Sequence, residues 1–242
     1  MGGMFNSENA FSTTRRSLLG GMVAAAMTNL YAQSGPPRVP PEPTRPARQD
    51  LDIVASFVTL AHQDKNLDRV AEMVAQDPKL VYAAWDWGGG DWETGLGGAS
   101  HVGSRKMARF LLEKGARVDA YCAAMLGEQE VVAALVTADP AVVNARGPHG
   151  YSLLYHAAIS GDVRMAEMLG PHVANRKRDF NQSLSAAVRD GHVAMTVWLL
   201  ENGVSDPNQG DGFGKRPLTT ALEKGFVEVA EVLRKHGARE KD

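Results

Sequence analysis

The sequence predicts an all-α solenoid of about six stacked helix-turn-helix units, and three regularities predict it. Glycine recurs at Gly103, Gly127, Gly161, Gly191 and Gly225, with successive spacings of 24, 34, 30 and 34 residues. Small residues recur shortly before it, at Ala99-Ser100, Ala123-Ala124, Ala157-Ala158 and Ala187-Val188. Apolar pairs recur after it, at Leu111-Leu112, Leu135-Val136, Met168-Leu169, Leu199-Leu200 and Val232-Leu233. A glycine at such a pivot closes one short helix in a tight or left-handed turn that other residues enter at a cost. The small pairs let neighbouring helices approach closely. The apolar pairs, at helical spacing, build a continuous core.

Each unit follows in order. Leu51 to His62 and Leu67 to Gln76 read as two amphipathic helices with a turn near Lys65. This first copy lacks the pivot glycine and is more polar, as suits a terminal cap. Asp77-Pro78-Lys79-Leu80-Val81 and Asp139-Pro140-Ala141-Val142-Val143-Asn144 are near-copies of one helix exit, where proline stops the preceding helix. The units run at about 50–82, 92–118, 119–144, 147–174, 178–205 and 211–238, within a folded region of 50–242. Two places depart from the repeat. Ala83-Ala-Trp-Asp-Trp-Gly-Gly-Gly-Asp91 lengthens the gap between units one and two, and unit three has almost nothing between Asp119 and Ala123. Departures from a local rule mark candidate functional or strained sites.

The last copy, Asp211 to Ala238, resembles the ankyrin repeat. Asp211, Gly214, Pro217, Leu218, Ala221, Gly225, Val229, Val232, Leu233, Gly237 and Ala238 fall in phase with that family's pattern. Arg216 replaces its threonine and Thr219 its histidine. The family period is about 33 residues. The resemblance covers nearly all of the chain after residue 50. It implies an ankyrin-repeat solenoid with a concave face, made of finger tips and of the two residues before each pivot glycine. In unit five that implies Arg178, Asp179 and Asn181 as finger residues, and in unit six Gly212, Phe213 and Lys215.

On that register, units two to four present aromatic, histidine and apolar side chains, and units five and six present charges. Aromatic residues dominate binding hot spots because they bury large areas with few rotatable bonds. Trp85, Trp87 and Trp92 crowd the same half. The expected partner-binding patch is therefore Trp87, Asp91, Trp92, Glu93, His101, Met125, His149 and Tyr151. The competing reading makes the tryptophans a cap on the core that touches no ligand.

Catalytic patterns fail on inspection, and no catalytic residue, cofactor or metal is expected. Asp86, Asp91, Glu93, His101, His149 and His156 include the donors of a zinc or non-haem iron set. No His-Glu-x-x-His or paired-histidine spacing organises them, and hydrogen-bonding histidines are the plainer reading. Gly88-Gly89-Gly90 lacks the Gly-Lys-Ser/Thr of a phosphate loop, and Gly210-x-Gly212-x-Gly214-Lys215 reads as a finger of the repeat. Ser152 follows Gly150 without the second glycine of a nucleophile elbow. The single cysteine, Cys122, excludes an intrachain disulfide and reads as a small core residue.

With 26 Lys and Arg against 28 Asp and Glu, the formal charge of −2 gives no basis for non-specific nucleic-acid binding. Thr14-Arg15-Arg16-Ser17-Leu18-Leu19 precedes a short apolar run from Gly20 to Leu30. This resembles a twin-arginine signal peptide over residues 1–32, with cleavage after Ala26 or Ala32. The run is about half the roughly 20 residues of a spanning helix, so no stable membrane insertion is expected after cleavage. A proline-rich linker fills 33–49. The expectation is a periplasmic or secreted, monomeric module that binds a protein partner. The rivals are a small-molecule or metal-binding protein with a pocket beside Trp85–Asp91, and a structural spacer.

Overall fold

The structure, a computed structural model, describes residues 49–240. The twin-arginine-like segment 1–32, and the linker 33–49 except its last residue, lie outside the described residues. Among the described residues, twelve α-helices form six hairpins: α1 (Leu51–Ala61) with α2 (Leu67–Gln76), α3 (Gly95–Val102) with α4 (Arg105–Glu113), α5 (Ala120–Leu126) with α6 (Gln129–Ala138), α7 (Leu153–Ser160) with α8 (Val163–Leu169), α9 (Arg176–Arg189) with α10 (Val193–Asn202), and α11 (Pro217–Glu223) with α12 (Val227–Lys235). The odd-numbered helices stack side by side in chain order, and each even-numbered helix packs on its predecessor. The chain is thus an all-α helical solenoid. Among the described residues, no helix is long and apolar enough to cross a membrane.

Local chemistry sets the helix ends. Thr94, Asp119, Ser152 and Asn175 cap the inner helices α3, α5, α7 and α9, each side-chain oxygen accepting from a backbone N–H of the first turn. At the other end the five pivot glycines all adopt the left-handed conformation, with φ between 70° and 84°. A residue with a Cβ pays about 1–2 kcal/mol for that conformation, which is why the repeat leaves so regular a mark on the sequence. One buried core runs from Val54 in α1 to Leu199 in α10, and a smaller one joins Leu184 and Val188 to Leu218, Val229 and Leu233 at the last unit.

Fingers connect some units. Ala84–Asp86 (β1) and Trp92–Thr94 (β2) pair antiparallel, with Asp86 opposite Trp92, so the tryptophan-rich insertion is a β-hairpin set among helices. Its turn, closed by Trp87 N–H donating to the Asp91 carbonyl, is repeated by Gly147 to Tyr151 and by Asp211 to Lys215. Two units lack such a finger. Asp119 leads directly into α5, so α3 touches α7 as well as α5. Unit five corrects an expectation: Arg178, Asp179 and Asn181 are not finger residues but lie inside the continuous 14-residue helix α9, with Asp179 and Asn181 buried. No glycine or proline interrupts Arg176 to Arg189, so nothing there breaks the helix.

Candidate functional site

Because unit three has no finger, the hairpin of unit two reaches the finger of unit four, and a cluster of histidines forms where they meet. Its centre is Glu93. This residue sits on β2, whose alternation turns Glu93 inward and Trp92 outward. Glu93 is 1% exposed, yet its carboxylate is surrounded by ring nitrogens. His62 Nε2 lies 3.2 Å from Oε2, His149 Nε2 3.5 Å from Oε2, and His101 Nδ1 2.8 Å from Oε1. Trp87 Nε1 donates to Oε2 at 2.8 Å. The ring planes of His62, His101 and His149 meet edge to face, with centroids 5.0 and 4.9 Å apart.

Each histidine is fixed by a partner at Nδ1. His62 Nδ1 is 2.8 Å from the Val58 carbonyl, and His149 Nδ1 is 2.7 Å from Asp91 Oδ2. A carbonyl or carboxylate oxygen only accepts, so in the neutral ring Nδ1 carries the proton and Nε2 keeps its lone pair. His101 Nδ1 lies between two acceptors, Glu93 Oε1 at 2.8 Å and the Gly97 carbonyl at 3.3 Å. The Oε1 atom of Glu93 is buried, with the His101 ring nitrogen close to it but not aligned as a donor in the neutral ring. On the far side of His101, Tyr155 donates to its backbone carbonyl at 3.1 Å, and Arg189 donates to the Tyr155 hydroxyl at 3.2 Å.

His149 is the one non-glycine residue with positive φ among the described residues, at 57°. Its backbone N–H donates to Asp91 Oδ1 at 2.8 Å, while its ring engages Asp91 Oδ2. Asp91 on the hairpin therefore holds a strained finger tip in place. Such strain persists only where surrounding contacts over-determine it.

Electrostatics follow from this geometry. Burial alone would raise the Glu93 carboxyl pKa, but hydrogen bonding and charge from His101 and His62 prevail and hold it well below the ordinary range. Burial alone would lower the His62 pKa; its bond to Glu93 and that residue's charge prevail and raise it.

The structure brings Trp87, Asp91, Glu93, His101, His149 and Tyr151 together, with Tyr151 stacked on His101 at 5.8 Å. It separates two of the expected patch residues. Met125 is fully buried, because the short helix α5 is enclosed between its stacked neighbours, so it cannot contribute to a face. Trp92 is 62% exposed on the opposite side of the hairpin from Glu93, beside a shallow hollow of about 280 Å³ with Tyr121, Arg146 and Pro148. Trp85 packs against the core. His156 is wholly buried and is not one of the clustered residues, and burial pushes the Cys122 thiol up to about 12, so it is no nucleophile at neutral pH. Sequence reasoning missed His62. The signal available was Gly97-Gly98 inside a helix: a Cβ at Gly98 would lie 2.8 Å from the His62 ring, so any larger residue would displace that ring.

A second feature lies further along the inner helices. A groove of about 650 Å³ is lined by Tyr151, Tyr155, Arg189, Phe213, Lys215 and Glu223, among others. Phe213, at the tip of the last finger, is 99% exposed.

Residues 184–234 match the family model described as ankyrin repeats (many copies). No curated protein matches the chain. The matched stretch spans the second half of α9, α10, α11 and most of α12, and supports an ankyrin-repeat protein, a type built for protein interaction.

Proposed function

We propose that the chain is an exported, non-catalytic docking module that binds a protein partner across the face formed by its fingers and inner helices. The single observation that carries this reading is Phe213. A phenyl ring held 99% exposed at a finger tip, on the rim of a 650 Å³ groove, contributes nothing to the core and gains most from burial against a partner. Burying an exposed side chain of this size is worth about 1.5–3 kcal/mol. Tyr151, backed by the buried Tyr155 on which it stacks at 4.0 Å, adds rigid aromatic area on the groove wall, and Arg189, Lys215 and Glu223 supply charges of both signs for register. Export is supported by Arg15-Arg16 and the short apolar run after them.

The test is capture from a periplasmic extract by the mature chain, compared with Phe213→Ala/Lys215→Glu and with the outer-face control Val131→Ser. Proteins held by the wild type and the control, but reduced at least about tenfold by the double variant, support the reading, since one hot-spot aromatic is worth about 2 kcal/mol. Equal capture by all three overturns it. For export, residues 1–34 are fused to a reporter with Arg15→Lys and Arg16→Lys; unchanged export refutes the twin-arginine route.

A further inference from the structure

We propose that His62, His101, His149 and Glu93 form a four-ligand site for one divalent transition-metal ion, zinc by the nature of its donors. The inference goes beyond the docking function and stands independently of it.

Spacing is the first support. One ligand atom from each of the four residues lies within 4.8 Å of the others. Zinc bonds nitrogen and carboxylate oxygen at about 2.0–2.2 Å, so the edge of its coordination tetrahedron is about 3.3–3.6 Å. The distances from Glu93 Oε2 to His62 Nε2 and His149 Nε2, 3.2 and 3.5 Å, match such edges. His101 Nδ1, 2.8 Å from Oε1, joins the set as the tautomer that carries its proton on Nε2, with a small ring movement away from Oε1.

Tautomer is the second. Nδ1 of His62 is tied to a backbone carbonyl and Nδ1 of His149 to the Asp91 carboxylate, which leaves both Nε2 lone pairs facing Glu93. An outer partner of this kind orients a metal-bound imidazole and strengthens it as a donor. Trp87 does the same for the carboxylate through its bond to Oε2.

Charge is the third. Three neutral imidazoles, Glu93 and Asp91 sum to −2, which a divalent cation balances. Three imidazolium rings packed 4.9 to 5.0 Å apart would instead repel one another around a single buried carboxylate. Glu93 Oε1 is buried and its nearest neighbour, His101 Nδ1 at 2.8 Å, is not aligned to donate to it, which suits a cation between the two. Imidazole with carboxylate suits zinc, whereas calcium and magnesium require six or more oxygens.

The experiment uses the full chain with a tag free of histidine, stripped by chelator and then given one equivalent of zinc or cobalt(II). The expected result is one ion per chain by elemental analysis, and the intense visible absorption of tetrahedral cobalt. His149→Ala, at the exposed finger tip, should weaken zinc binding more than about 100-fold with an unchanged helical signal. Asp91→Asn, which alters a side chain hydrogen-bonded to His149 alone, should weaken it by about 10–100-fold. Should His149→Ala lose its fold, Asp91→Asn carries the test. No ion on the wild type, an octahedral cobalt spectrum, or binding unaltered by Asp91→Asn overturns the proposal. The readout involves no partner, so its failure leaves the docking reading intact and vice versa.

Discussion

Arg146 closes both arms of its guanidinium on the buried carboxylate of Asp179, at 2.5 Å to Oδ1 and 3.1 Å to Oδ2. The pair joins the segment leading into the unit-four finger to the first turn of α9, where the repeat would otherwise place a finger of its own. Asp179 is fully buried and Arg146 partly so. Removing one partner leaves an uncompensated buried charge, which costs about 3–5 kcal/mol. Arg146→Ala should lower unfolding stability by that amount in a urea titration. Arg146→Lys should recover only part, because an ammonium cannot span both oxygens. A loss below 1 kcal/mol for the alanine variant would show that the pair is solvated.

The pivot glycines should not be equivalent. At Gly225, φ is +70° with open space around a would-be Cβ, so Gly225→Ala should cost only the conformational penalty of about 1–2 kcal/mol. At Gly161, φ is +78° and a Cβ would meet the His192 ring at 2.7 Å. Gly161→Ala should therefore cost at least about 1 kcal/mol more, as overpacking does. Equal thermal shifts in the two variants would show that the ring yields freely.

Met125→Ala separates core from surface. A fully buried methionine truncated to alanine costs about 2–5 kcal/mol. Denaturant midpoint should fall accordingly, while partner capture at a temperature where the variant stays folded should match wild type. A selective loss of capture would place Met125 back on the docking face.

His156 makes stability depend on pH. Its ring is wholly buried between Tyr121 and Tyr155, and burial is the main cause that brings its pKa down to about 4 from 6.5. The Ser152 carbonyl opposes that shift, and the charges of His101 and Arg189 add to it. Above pH 6.5 neither the folded nor the unfolded chain protonates this ring. Between 6.5 and about 4 the unfolded chain binds a proton that the folded chain refuses, so stability drops as pH falls, by up to about 1.4 kcal/mol per unit. The difference in unfolding free energy between wild type and His156→Gln should therefore move in favour of the variant on acidification from pH 7 to 4.5. A constant difference across that range would mean the ring protonates in the folded state.

The fold was legible because its requirements are local. A left-handed helix end admits glycine and little else, and a buried stripe repeats with the helix, so Gly103 to Gly225 and the apolar pairs report the stacking directly. The site was legible in part, through the same register: Asp91, Glu93, His101, His149 and Tyr151 occupy corresponding finger and helix-end positions. His62 lay outside that logic, since unit one has no pivot glycine to place it. Met125 shares with His101 the position two residues before a pivot. Whether that position faces outward depends on how tightly the adjacent helices close over it, which spacing does not report. The continuous helix over Arg178 and Asp179 was missed for a simpler reason, in that the period was carried across a stretch without any helix-breaking residue.

The missing finger of unit three has one more consequence. Stacked repeats ordinarily behave as a one-dimensional chain, in which each member couples only to the next and the ends fray first. Here Asp91 and His149 bridge across an intervening member, and α3 meets α7 directly. The stretch from Trp85 to Leu169 is thereby welded into a single cooperative block. Hydrogen exchange should find its amides opening together, along with the end of α1 that His62 ties to Glu93, and the last hairpin α11–α12, with its own small core, opening separately and sooner.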